Sequence, residues 1–217
     1  MRIKHRLRLL VSRKQRAAEV KRSGCVFIAV PRTSSSALDD EMMGHFGKVH
    51  GRVERLPGVS PYRYYPPHLT ALEMRQQLGP VWNEVYRFSV VRNPWDRTLS
   101  FYRLRVNDGH FEGSFTDYVA ALEQRDKRWF RFAPTWMDAF SFVSDGKNII
   151  VDKVVRYEDR ETGLAEVRQS IGHPTLGTQI SNVSGETMKY REHYTDANAE
   201  TVGRLFARDV KTFNYTF

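Results

Sequence analysis

The distribution of apolar residues predicts three buried strands separated by amphipathic helices. Residues 27–30, 86–91 and 149–157 form short runs that are mostly apolar, which is typical of strands covered on both faces of a parallel sheet. Between and after these runs, apolar residues recur at helical spacing, most clearly over 93–106 and 196–211. This alternation predicts an α/β fold, a single domain with a largely parallel central sheet flanked by helices.

The helix after the second strand has a well-marked beginning. Asn93 is a favourable N-cap residue, Pro94 suits the first helical position, and Asp96 in the first turn opposes the helix dipole. The spacing predicts a core-facing stripe of Trp95, Leu99, Tyr102 and Val106. Ser100 lies on a different stripe and is therefore free to face a ligand.

Two further helices carry their own boundary signals. Residues 70–78 are predicted to be helical and to stop at Gly79-Pro80. Ser114, with Asp117 three residues later, resembles the capping box that begins a helix over 115–122.

The first strand runs directly into a hydroxyl-rich turn that carries one cation. Its side chains are Arg32, Thr33, Ser34, Ser35 and Ser36, and a helix is predicted to begin near Ser35 or Ser36. A helix N-terminus presents unpaired N–H donors and a positive dipole end, and a guanidinium fork fits two anionic oxygens. The pattern predicts a phosphate-binding turn.

The second strand ends in a similar way. Arg92 follows the apolar run, and Ser100 lies eight residues further on in the next helix. Two such turns on neighbouring strands predict a ligand with two separate phosphate groups.

The motifs of ordinary nucleotide sites and of metal sites are missing. There is no GxxxxGK followed by Ser or Thr and no GxGxxG after a strand, which argues against ordinary ATP or dinucleotide binding. The histidines and carboxylates lack ligand spacing, and one cysteine cannot form a thiolate cluster, so no metal site is predicted. That cysteine, Cys25, begins an apolar strand and is predicted to be a packed, unreactive thiol.

These two turns, with several later segments, resemble those of sulfotransferases that use 3′-phosphoadenosine 5′-phosphosulfate (PAPS). The likeness is strongest to Golgi-type carbohydrate sulfotransferases and their bacterial relatives. Residues 31–36 occupy the place of the family's 5′-phosphosulfate loop, and Arg92 with Ser100 matches its 3′-phosphate motif. Segments 68–75, 152–158 and 182–217 follow the family's order, so the resemblance extends from about Cys25 to the end of the sequence.

The resemblance implies a PAPS-dependent O-sulfotransferase with a P-loop-like nucleotide-binding core. Such an enzyme transfers a sulfuryl group from PAPS to a hydroxyl of a glycan or glycoconjugate and releases adenosine 3′,5′-bisphosphate (PAP). The donor would be bound by Arg32, Thr33, Ser34, Ser35, Ser36, Arg92 and Ser100, with Asn182 and Ser184 closing over the nucleotide. Arg32 would also stabilise negative charge on the departing oxygen.

His68 is the predicted general base. It follows a proline-rich break and precedes the helix over 70–78, a position at the edge of the expected cleft. A neutral imidazole, with an ordinary pKa of about 6.5, can remove a proton from an attacking hydroxyl. The other interpretation is a histidine that caps the following helix, and the family resemblance favours the base. If the base lies elsewhere, Glu41 and Glu73 are the next carboxylates to consider.

The first turn departs from the family pattern at two places. Arg32 stands where the family usually has lysine, and Ser34-Ser35 stand where glycine is frequent. Because side chains disfavour positive φ, the serines predict a loop in ordinary φ/ψ space or a slightly wider cradle.

Most of the net charge of +9 lies in an N-terminal arm over 1–22, which precedes the predicted domain over 23–217. The arm holds nine Lys and Arg against one acid, so the remaining chain carries only about +1 and argues against a nucleic-acid partner. Ile3, Leu7, Leu10 and Val11 among the cations fit a basic amphipathic helix in peripheral contact with an anionic membrane. A partly ordered terminal helix with a solvated basic face is the interpretation that we favour. The apolar run is too short and too charged for a membrane span or signal segment, so a soluble, cytoplasmic protein is expected.

Two other functions are compatible with parts of this pattern. One is a P-loop-like nucleotide kinase or hydrolase, which the missing Walker lysine disfavours. The other is a nucleic-acid or membrane-surface binding module that acts through the basic arm. The sequence defines neither the acceptor nor the oligomeric state.

Overall fold

Three parallel strands form the centre of the fold in the computed structural model, which describes residues 17–18, 20–35, 38, 68–130, 137–177 and 187–217. They are β1 (Cys25–Ile28), β2 (Tyr86–Val91) and β3 (Lys153–Arg156), in the spatial order β1-β2-β3. Both pairings are parallel, with Ile28 opposite Ser89 and Val91 opposite Arg156. Helices flank the sheet, and the predicted α/β fold with a parallel central sheet is confirmed.

Eight α-helices and three 3₁₀ helices lie wholly within the described ranges. The α-helices are α1 (Ala71–Leu78), α2 (Pro94–Asn107), α3 (Phe115–Glu123), α4 (Lys127–Phe130), α5 (Ala139–Val143), α6 (Arg160–Ile171), α7 (Asp196–Leu205) and α8 (Ala207–Thr212). The 3₁₀ helices are Gly79–Glu84, Tyr157–Asp159 and Thr187–His193.

The predicted helix caps are present. The Asn93 side chain accepts hydrogen bonds from Trp95 N (3.0 Å) and Asp96 N (3.4 Å) at the start of α2. Ser114 and Asp117 form a capping box at α3. Each cap is encoded within four residues of sequence, which explains why these boundaries were predictable.

The structure differs from the expected elements at four places. The first strand is Cys25–Ile28, so it ends two residues before the end of the apolar run over 27–30. Ile149 forms an antiparallel bridge with Ser144 instead of joining β3, which begins only at Lys153. The helix expected over 196–211 is broken at Phe206, whose backbone leaves the helical region (φ −111°, ψ 31°) while its ring is buried. Val106 is 41% exposed, because burial of α2 is concentrated in its first half.

Apolar side chains cover both faces of the sheet. Val26 and Ile28 belong to the larger core cluster, whereas Phe27 joins the smaller one, where its ring lies 5.2 Å from that of Phe88. Cys25 lies in the smaller cluster, and burial raises the pKa of its thiol to about 12. The prediction of a packed thiol is confirmed.

The described end of the basic arm contacts the fold. Residues 20–23 are helical, Val20 is fully buried in the larger core cluster, and Lys21 Nζ lies 2.6 Å from Glu84 Oε2. Within the described ranges, no helix is both long and apolar enough to cross a membrane.

Gly163 allows α6 to pack closely on β3. A Cβ built at Gly163 would lie 2.5 Å from Val155 Cγ1. Gly163→Ala should therefore destabilise the fold by about 1 kcal/mol, because overpacking costs about 1–3 kcal/mol and the gain in helix propensity is only about 0.5–1 kcal/mol. Urea unfolding of the variant measures this difference.

A Val155→Ala background provides the control, because it removes the clashing methyl groups. Gly163→Ala should be neutral or stabilising there, and the coupling between the two sites follows from a double-mutant cycle. A stabilising effect of Gly163→Ala in the wild-type background would contradict the close packing.

Candidate functional site

The first turn adopts a left-handed conformation at two non-glycine residues. Arg32 has φ +68° and Ser34 has φ +58°, so the expectation of ordinary φ/ψ space for the serines is wrong at Ser34. The Thr33 hydroxyl donates to Val30 O (2.9 Å) and closes the turn, and Leu38 N donates to Ser34 O (3.2 Å) as a helix begins at Ser35. Ser34 thus takes the conformation that favours glycine.

Arg32 and Ser100 lie in direct contact. Arg32 Nε donates to Ser100 Oγ at 3.0 Å, which joins the first turn to α2. Burial, and then the nearby charge of Arg92, lower the pKa of Arg32 from its usual range. None of the carboxylates in the described ranges forms an ion pair with Arg32, so its guanidinium is a partly buried cation beside a neutral hydroxyl.

The Arg92 guanidinium makes three contacts within the protein. Its Nε donates to Asp96 Oδ2 (2.8 Å), its Nη1 donates to Arg32 O (3.1 Å), and its guanidinium lies 4.5 Å from the centre of the Tyr157 ring. Asp96 is buried, and desolvation raises the pKa of its carboxyl even though Arg92 acts in the opposite direction. Arg32 therefore contacts both members of the predicted pair, Arg92 at its carbonyl oxygen and Ser100 at its side chain, while the ligand of the pair remains a prediction.

His68 contacts the segment that leads from β1 into the first turn. Its Nδ1 lies 2.9 Å from Ala29 O, and because a carbonyl oxygen only accepts, Nδ1 carries the proton in this contact. In a neutral ring Nε2 is then the basic nitrogen. The helix-capping interpretation is wrong, since Thr70 is the N-cap of α1 and Glu73 completes its capping box.

Two residues near the site have connections that the sequence analysis did not foresee. Glu158 Oε1 accepts from Asn93 N (2.7 Å) and its Oε2 from Tyr215 OH (3.1 Å), so the end of β3 is tied to the second turn. Arg97 of α2 is 2% exposed and donates to Pro31 O at 3.2 Å. The signal in the sequence for burial of Arg97 was Phe101, an apolar residue one helical turn later on the same face of α2, which is buried in the structure.

Four predicted residues lie outside the described ranges: Ser36, Asn182, Ser184 and Glu41. Among the residues that are described, His, Cys, Asp and Glu form no group of three suited to a metal ion.

Comparison with known proteins gives one structural likeness. No family model and no curated protein matches the chain. A crystal structure of a sulfotransferase from Alicyclobacillus acidocaldarius is similar over 88% of this chain and 98% of that one, with a TM-score of 0.45 and 14% sequence identity. A likeness this distant gives no information about activity. Any assignment of activity depends on the geometry of the site.

Proposed function

We propose that this protein is a sulfotransferase that transfers a sulfuryl group from PAPS to a hydroxyl of a carbohydrate acceptor. The observation that carries the proposal is the meeting of Arg32, Arg92 and Ser100 where two parallel strands end. Clefts outside the carboxyl ends of parallel strands are the usual ligand sites of α/β sheets. Two guanidinium groups and a hydroxyl at such a place suit a ligand with two anionic groups.

The side chains, rather than the N-terminus of α2, bind the second anionic group in this proposal. Asn93 already accepts from the amides of Trp95 and Asp96, so those donors are occupied within the protein. Arg92 uses two of its five N–H donors in hydrogen bonds to Asp96 and Arg32 O among the described residues. Its remaining donors and the Ser100 hydroxyl would take the 3′-phosphate.

In this proposal, residues of the site have separate roles in the transfer. PAPS, when bound, supplies the sulfur atom and a leaving phosphate oxygen. His68 Nε2 accepts the proton of the acceptor hydroxyl as that oxygen forms its bond to sulfur and the sulfur to phosphate-oxygen bond breaks. Arg32 stabilises the negative charge that develops on the departing oxygen.

The base and the leaving-group cation depend on one short segment. His68 is fixed to the carbonyl of Ala29, and Arg32 lies three residues further along the chain. An in-line displacement needs the base and the leaving-group cation at opposite ends of one reaction axis. Since one short segment holds both groups, their motion relative to each other is limited.

Replacement of Arg92 tests the 3′-phosphate contact. Arg92→Ala should weaken PAP binding by about one to two decades, because loss of a charged hydrogen-bonding partner costs about 1.5–3 kcal/mol. Binding of adenosine 5′-monophosphate, which lacks the 3′-phosphate, should change much less. Calorimetry with both nucleotides measures the difference.

Arg204→Ala is the matched control, because Arg204 is an exposed arginine paired with Glu123. It removes the same formal charge and should leave both affinities within about twofold. Equal losses for the two nucleotides in Arg92→Ala would reject the assignment.

His68 and Arg32 should respond differently to replacement. His68→Ala should lower sulfuryl transfer by about 10²–10⁴-fold while PAP affinity stays within a few-fold, as expected for a general base. Arg32→Ala should lower the rate and weaken donor binding together, since its cation contacts the anion in both ground and transition states. Steady-state rates and PAP titrations of both variants check this contrast.

His110 offers a control histidine, since its Nδ1 lies 2.7 Å from Asp108 O in an exposed turn. His110→Ala should transfer sulfuryl groups at the wild-type rate. Near-normal turnover of a folded His68→Ala protein would move the base elsewhere. Glu73 is already engaged in the α1 capping box, so Glu41 would then be the first carboxylate to replace.

Chelation separates this function from a kinase or hydrolase. A sulfuryl group carries less charge than a phosphoryl group, and cationic side chains suffice to neutralise it. Turnover in EDTA should therefore match turnover with added magnesium within a few-fold. Complete loss of activity on chelation would favour phosphoryl transfer, in which metal ions bridge the phosphate oxygens.

A further inference from the structure

A buried ion pair lies directly beneath the first turn. Arg97 is 2% exposed and Asp209 of α8 is fully buried, with Arg97 Nη1 and Asp209 Oδ2 3.9 Å apart. The rings of Phe101 and Phe206 lie 5.4 and 6.0 Å from the guanidinium carbon. Asp209 also accepts hydrogen bonds from two backbone amides at the start of α5, Ala139 N (2.7 Å) and Phe140 N (2.8 Å).

Arg97 donates two hydrogen bonds to backbone carbonyls of two other segments. Nε donates to Pro31 O at 3.2 Å, and Nη2 donates to Met137 O at 3.0 Å. One guanidinium therefore joins the first turn, the segment before α5, and α8. Its planar fork fixes the directions of these bonds, which a flexible lysine ammonium would not do.

Stability alone gives little reason for this arrangement. Burial of a charged pair costs desolvation free energy, and apolar side chains of similar volume are often equally stable. The contact with Pro31 suggests a different role, because Arg32, the next residue, has a left-handed backbone. Such a conformation persists only where the surroundings hold it.

Two consecutive carbonyls of the turn are held by two arginines of one segment. Arg97 binds Pro31 O and Arg92 binds Arg32 O. The proposed function assigns Arg92 to the 3′-phosphate. Arg97 is buried, so it has no direct contact with a bound ligand in this proposal. We propose that Arg97, held by Asp209, is a positioning residue that sets the shape of the turn over 31–35 and so the affinity for the 5′ group bound there. This inference rests on the proposed function.

Calorimetry with PAP and adenosine 3′-monophosphate isolates this role. The ratio of the two affinities measures the contribution of the 5′ group. Arg97→Lys keeps a positive charge opposite Asp209 but loses the fork, and it should reduce this ratio by about three- to tenfold, as expected for a misplaced hydrogen-bonding turn. Binding of adenosine 3′-monophosphate should stay within about twofold.

Arg208→Lys is the matched control. Arg208 Nε donates to Asp138 Oδ2 (2.7 Å) at the start of α5, so the change is chemically identical and close by but does not touch the turn. Its affinity ratio should equal that of the wild type. Partial unfolding of any variant lowers both affinities equally, so the ratio does not respond to stability alone.

Asp209→Asn provides a second variant, in which Arg97 remains but loses the charge that holds it. The ratio of PAP affinity to adenosine 3′-monophosphate affinity should fall in this variant, as in Arg97→Lys. Wild-type ratios in folded Arg97→Lys and Asp209→Asn proteins would overturn this inference and leave the proposed function intact. A wild-type protein that does not bind PAP would instead overturn the proposed function.

Discussion

Parallel pairing of β1 with β2 is the constraint on which the site depends. The pairing places Ile28 opposite Ser89, and the buried Ser89 hydroxyl donates to Ile28 O at 2.7 Å where β1 ends. Strands that run in the same direction end at the same edge of a sheet, so residues 29–35 and 92–93 meet despite their separation in sequence. Without this register, the contacts of Arg32 with Ser100 and of Arg92 with Arg32 O would not form. The arrangement of residues at the candidate site is therefore a consequence of sheet topology.

Bringing the two turns together has an electrostatic cost. Arg32 and Arg92 carry like charges in a partly buried setting, and both burial and Arg92 lower the pKa of Arg32. Asp96 and the Tyr157 ring offset part of this cost on the Arg92 side. An anionic ligand placed between the two cations would offset the rest. Part of the affinity for such a ligand would then come from relief of a repulsion already present in the protein.

Sequence reasoning succeeded where the signal is local. The strand over 86–91, the Asn93 cap and the Ser114–Asp117 capping box each depend on residues close to one another in the sequence. The helix break at Phe206 depends on packing between distant segments, and no residue close to it in the sequence indicates a break. Arg97 is an intermediate case. Its partners Pro31 and Met137 are distant in sequence, yet the apolar position one helical turn after Arg97 already indicated an inward-facing stripe. The left-handed conformation of Ser34 was not predicted, because the prediction used only the preference of serine for negative φ. Tertiary contacts override that preference here.

Those contacts explain how the first turn keeps its shape without glycine. A left-handed backbone costs a non-glycine residue roughly 1–2 kcal/mol. Four successive carbonyls, which lead into the turn and begin it, nevertheless accept side-chain hydrogen bonds. The donors, for residues 29 to 32 in order, are His68, Thr33, Arg97 and Arg92. A glycine-rich loop reaches such a shape through its own backbone freedom, whereas here the surrounding side chains impose it. Since one of those donors is the proposed base and another the proposed 3′-phosphate ligand, the residues that would perform the chemistry also determine the shape of the turn.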